Sequence, residues 1–116
     1  MIEKRKYIRL HASIGVSYRL IGKDKKATPD LSIVKNIGGG GVRIFAKGDL
    51  RNGDLLELDI QIPHLSDPIR AIGEVVWFNA LKSKEREFRE AGVRFREIAP
   101  KDLHHILEYV HTIGIG

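Results

Sequence analysis

The chain has 116 residues, 42% hydrophobic and 30% charged, the profile of one soluble domain with a single core and no room for a second. It has no cysteine, which excludes disulfides, thiolate nucleophiles and Cys-based zinc sites and fits a reducing compartment. The net charge of +5 is lopsided: eight basic side chains from Lys4 to Lys26, against Glu3 and Asp24, put +6 on the first 26 residues and leave −1 for the other ninety.

Taken in order, residues 1–10 read as a basic arm in which Arg5 and Arg9 stand four apart, with Lys4 just ahead. Residues 11–116 form the rest of a single domain. In residues 12–20, Ala12, Ile14, Val16, Tyr18 and Leu20 alternate with polar or small neighbours, the period of a half-buried strand. Turn material at Gly22–Lys26 and Pro29-Asp30 leads to two short strands, 31–36 and 42–46, around the run Gly38-Gly39-Gly40-Gly41. Four consecutive glycines are entropically costly, so a backbone requirement is expected there. A turn from Gly48 to Gly53 precedes the alternation Leu56, Leu58, Ile60, Ile62, which Pro63–Pro68 closes. Residues 69–79 make a long strand containing Val75-Val76-Trp77-Phe78. After the charged loop Lys82–Glu87, a last strand carries Ala91, Val93 and Phe95 inward. Six strands separated by turns predict a small antiparallel barrel or sandwich. Pro100 then opens a helix whose stripe is Leu103, Ile106, Leu107 and Val110, with Gly114 as its stop, covering one end or face of the sheet.

No run approaches the roughly 18 apolar residues of a membrane helix, and the amino terminus lacks a signal peptide's apolar core. A cytoplasmic protein without membrane insertion is expected. The glycine run is not followed by Gly-Lys-Ser/Thr, so it is no nucleoside-triphosphate loop, and no nucleophile motif or acid–base pair stands out. An enzyme is not expected. Glu57 and Asp59 alternate on the wet side of a strand. His104, Glu108 and His111 share a helix flank, where a solvated polar face is favoured over a metal site. Neither a metal nor a cofactor is expected.

The binding chemistry concentrates in two places. Arg5 and Arg9 supply planar forks that match phosphate oxygens or the O6/N7 edge of guanine. Asn36 offers an amide donor and a carbonyl acceptor to a base edge, and Gly38, Gly39, Gly40 and Gly41 let backbone N–H groups approach a ligand closely. Together they suggest a guanine-nucleotide site. Trp77 either packs in the core or stacks on a base at the barrel surface. For Arg43, a solvated strand face is favoured over a place in the pocket.

In order and spacing these motifs resemble the PilZ domain, the bacterial receptor module for cyclic di-GMP. The RxxxR arm is matched by Arg5 and Arg9. The [D/N]xSxxG turn is matched at Asn36 and Gly41, with Gly38 in the serine position. Val75-Val76-Trp77 and Gly92-Val93-Arg94-Phe95 resemble the family's fifth and sixth strands. The resemblance implies an all-β fold, a six-stranded antiparallel β-barrel (a split barrel) with one C-terminal α-helix. It also implies a flexible arm that folds over the barrel when ligand arrives, with cyclic di-GMP as the ligand and a change of shape passed to an unidentified protein effector. Arg5, Arg9 and Asn36 would grip phosphates and guanines, and the glycines would serve through their backbone. A missing serine hydroxyl at Gly38 would remove one hydrogen bond, worth about 0.5–1.5 kcal/mol, or about 1.5–3 kcal/mol if made to phosphate, which is roughly tenfold in affinity and more at the upper end.

With no output domain attached, a stand-alone adaptor is expected. The alternative is a degenerate PilZ-fold interaction module that does not bind cyclic di-GMP, and Gly38 is the residue in its favour. Nucleic acid is disfavoured as a partner, because aromatics are few and positive charge is confined to one end.

Overall fold

Strict alternation of apolar residues makes the walls of a closed barrel. The computed structural model describes residues 9–22, 29–47, 50–80 and 88–115. In chain order these form β1 (Arg9–Leu20), β2 (Asp30–Gly38), β3 (Gly41–Lys47), β4 (Leu55–Ile60), β5 (Ile69–Ala80), β6 (Phe88–Ile98) and α1 (Pro100–Ile115). All neighbours are antiparallel, in the order β1-β2-β3-β6-β5-β4, with β4 pairing back onto β1. β4 closes the wall by pairing with β1 over Val16–Leu20 and with β5 over Ile69–Glu74.

The inward rows follow alternation in β4 and along β1 from Ile14, and depart from it where β2 and β5 bulge. Ile14, Val16 and Tyr18 of β1 and Leu56, Leu58 and Ile60 of β4 are buried, with Val34, Ile37, Val42, Ile44, Val75, Ala91 and Val93. Gly53 turns the chain into β4 at φ +94, a conformation L side chains resist. Its N–H donates to the Val75 carbonyl at 2.7 Å, and the Val75 N–H donates back to Asp54 at 2.8 Å. β1 begins at Arg9, so residues 9 and 10 of the expected arm already belong to the barrel wall. Lys4, Arg5 and the charged loop Lys82–Glu87 lie outside the described residues.

The helix starts at Pro100 as expected and packs against β1 and β2. Ile106 and Val110 are fully buried and Tyr109 packs beside them, whereas Leu107 of the expected stripe is 38% exposed. The buried face is therefore rotated from the one periodicity suggested. The helix also runs through Gly114, the expected stop, to Ile115. His104 and Glu108 approach to 3.6 Å, and the described residues contain no group of three metal-ligating side chains. No described helix is long and apolar enough to cross a membrane.

Candidate functional site

The amino end of β1 and the glycine hairpin are neighbours. Arg9 pairs with Gly38, Gly38 with Gly41 across the Gly39-Gly40 turn, and Gly41 with Arg94 of β6. The Phe95 N–H donates to the Gly40 carbonyl at 2.9 Å, clamping the turn against β6. Gly41 shows why the run needs bare backbone: a Cβ there would lie 2.1 Å from the Val93 carbonyl oxygen. Only glycine lets β3 approach β6 this closely.

A second row crosses the same outer face two residues away. His11, Asn36, Arg43, Gly92 and Trp77 pair in turn across β1, β2, β3, β6 and β5. Asn36 and Trp77 reach this row because the strands bulge. On β2 the register steps from Val34↔Ile44 to Asn36↔Arg43, leaving Lys35 as the extra residue. On β5 it steps from Val75↔Val93 to Trp77↔Gly92, leaving Val76 extra. Each bulge shifts the alternation by one, so a residue between two inward-facing neighbours is turned outward.

The two rows are about 7 Å apart along the strands, and adjacent strands are about 4.8 Å apart. Arg9, Asn36, Gly38 and Gly41 therefore cluster, whereas Trp77 stands at the far end of its row, four strands from β1 counted through β2, β3 and β6. Lys4 and Arg5 precede the described part of β1.

Of the two expectations for Trp77, the core one fails: the indole is half-buried on the outer face and lies across Gly92. Arg43 is not a solvated strand residue either. Its side chain is 29% exposed, and its guanidinium stands 5.4 Å from the centre of the Trp77 ring, within cation–π range. Asn36 is the buried polar side chain of the described residues, at 3% exposure. A base edge reaches its amide only after the groups that cover it move aside.

Gly92, which the sequence marks only as part of the last strand, is the surface on which the indole rests. A Cβ there would sit 2.1 Å from Trp77 Nε1 and 2.3 Å from Cε2. Gly92→Ala is therefore expected to lift the indole off β6 and away from Arg43. Since Trp77 is the single tryptophan, its emission should shift to longer wavelength. The loss of packing should cost about 1–2 kcal/mol in urea unfolding. An unchanged emission maximum would show that the indole does not rest where the backbone of Gly92 leaves room.

Charge beside the site is largely paired. Glu74 engages Arg94 at 3.4 Å and Arg96 at 2.8 Å. Glu90 accepts from Lys35 at 2.7 Å. Elsewhere, a groove of about 850 Å³ opens between β1, β4, β5 and β6, lined by Arg19, Glu57, Asp59, Arg70, Ile72 and Arg96 among others. There Glu57 bonds Arg19, and Asp59 lies 3.3 Å from Arg70. Among the described residues, none of those expected to bind ligand lines this groove.

Comparison with known proteins agrees with this architecture. The family model described as PilZ domain matches residues 3–112. MotI/DgrA of Bacillus subtilis, an inhibitor of motility, superposes with a TM-score of 0.79 at 21% identity, covering 98% of this chain and 53% of that one. The MrkH–c-di-GMP complex of K. pneumonia gives 0.71 at 18% identity, covering 98% and 53%. The PilZ domain of YcgR from Escherichia coli, solved with c-di-GMP, gives 0.65 at 12% identity, covering 97% and 93%. The chain thus spans about half the length of the MotI and MrkH chains. At these identities the superpositions show a shared fold. No curated protein matches the chain.

Proposed function

Since this chain belongs to the PilZ domain family, we propose that it is a cyclic di-GMP receptor that changes shape on binding and passes the change to a protein effector. The register Arg9↔Gly38, beside the close approach of Gly41 to β6, carries the proposal. It sets the root of the basic arm against the bare-backbone hairpin, so cations and backbone donors can meet one dianionic ligand from two sides. Solved relatives holding c-di-GMP, such as the YcgR PilZ domain, support the choice of ligand.

Arg5 and Arg9, with Lys4 in support, take the phosphates and the Hoogsteen edges of guanine. Asn36 takes a guanine edge once uncovered, and the backbone from Gly38 to Gly41 approaches the ring. Because Asn36 starts at 3% exposure, binding and rearrangement are coupled: the ligand favours the state in which the amide is open. Trp77, at the far end of its row, reports on the rearrangement and stacks on a base if the ligand extends that far. Second-messenger level is thereby read out as a change in the surface offered to a partner.

Titration calorimetry with cyclic di-GMP tests this, with Trp77 emission followed in parallel. Saturable heat with a change in emission is expected. No heat with protein on the order of tens of micromolar would defeat the proposal.

The rival, an interaction module with a decayed site, rests on glycine at position 38. It predicts that Gly38→Ser brings no binding, and that one partner is recovered equally with and without nucleotide.

A further inference from the structure

One carboxylate holds both cations that flank Asn36. Glu90 sits on β6 opposite Phe45 of β3 and Asn79 of β5, two residues from Gly92. Its Oε1 accepts from Lys35 Nζ at 2.7 Å, and its Oε2 lies 3.9 Å from Arg43 Nη1. Lys35 is the extra residue of the β2 bulge, and Arg43 is the register partner of Asn36. The two cations also lean on aromatic rings, Lys35 at 5.8 Å from Phe45 and Arg43 at 5.4 Å from Trp77.

Fold stability accounts poorly for this arrangement. The Lys35 side chain is 42% exposed, and ion pairs of that kind contribute little to folding. The consequence for ligands is larger. Without Glu90 the row would carry two adjacent positive charges that attract any polyphosphate. With it, the local sum is +1 and both cations are already engaged.

We propose that Glu90 is a specificity-determining counter-charge: it keeps Lys35 and Arg43 from simple polyanions and yields them to a ligand that also engages the arm and the glycine hairpin. The proposal rests on the receptor reading above and adds how the site rejects the wrong anion. Discrimination needs a penalty against competitors as well as contacts to the right partner, and an anion pointed at an anion site supplies one.

The test compares the full chain with Glu90→Gln, which keeps the shape and removes the charge. Cyclic di-GMP and ATP, a polyanion of the wrong shape, are titrated into each by calorimetry. Both ligands should bind the variant more tightly, ATP gaining more, so that the preference for cyclic di-GMP falls by about tenfold, as expected for one charge removed at close range. Raising the salt concentration should shrink the difference. Glu90→Asp keeps the charge and should keep the preference, so a misfolded Gln variant cannot shelter the idea. An unchanged or increased preference in Glu90→Gln, with the parent binding cyclic di-GMP, overturns the role of Glu90 alone. If the parent is silent and Glu90→Gln gains ATP binding, the counter-charge stands while the receptor reading falls. Silence from both proteins toward both ligands overturns the two together.

Discussion

Replacing Arg5 and Arg9 together by alanine is expected to weaken cyclic di-GMP binding by at least about a hundredfold. Each guanidinium can make bidentate, charge-assisted bonds worth about 1.5–3 kcal/mol. Two such losses amount to about 3–6 kcal/mol, and each 1.4 kcal/mol is tenfold. Folding should be spared, because the contribution of Arg9 to the barrel that the register defines is backbone pairing with Gly38, which alanine preserves. The melting temperature of the double variant should therefore match the parent within about 2 °C, well inside the shift that 1 kcal/mol would produce. Arg9→Lys should recover only part of the affinity, since an ammonium supplies the charge without the planar fork. Calorimetry on the three proteins, parent, double variant and Arg9→Lys, decides the matter. An affinity for the double variant within about threefold of the parent would mean that the arm does not bind the ligand.

The hairpin was legible in the chain because it is a local signal, four glycines between apolar runs. Most of the barrel wall was legible for the same reason. In β4, and in β1 from Ile14 onward, the alternation is unbroken, and Ile14, Val16, Tyr18, Leu56, Leu58 and Ile60 all face inward as it requires. The outer row was harder to read. Asn36 and Trp77 stand in Val34-Lys35-Asn36-Ile37 and Val75-Val76-Trp77-Phe78, where the inward residues are three apart instead of two. That interval is the mark of a bulge, yet in a short apolar run it looks the same as imperfect alternation. The meeting of Lys35 with Glu90 spans 55 positions and depends on β3 pairing with β6, which no local pattern encodes. The helix went astray for a related reason. Its apolar residues admit more than one face, and packing against β1 and β2 selects Ile106, Tyr109 and Val110 over Leu107.

Gly41→Ala should be the most damaging single substitution in the hairpin. The added Cβ would fall 2.1 Å from the Val93 carbonyl oxygen and 3.0 Å from both Val93 C and Arg94 Cα. All three are backbone atoms, so no rotamer change relieves the contact, and β3 must part from β6 at the Gly41↔Arg94 pair. The clamp from the Phe95 N–H to the Gly40 carbonyl weakens with it. Strain of this kind together with a lost bond in a closed barrel should cost about 2–4 kcal/mol, read as a lower urea midpoint at unchanged slope. Gly15→Ala is the matching control: it is exposed on β1, a Cβ there meets nothing within 4 Å, and its φ is not positive. Alanine at that position should be neutral or stabilise by about 0.4–1 kcal/mol through the unfolded chain. Two glycine-to-alanine changes in neighbouring parts of one sheet should thus have opposite signs, because only one glycine is held against another strand's backbone. A Gly41→Ala protein within about 0.5 kcal/mol of the parent would show that the hairpin does not need that close approach. Binding should fall in step with stability, since the same movement carries the glycine backbone away from Arg9 and the root of the arm.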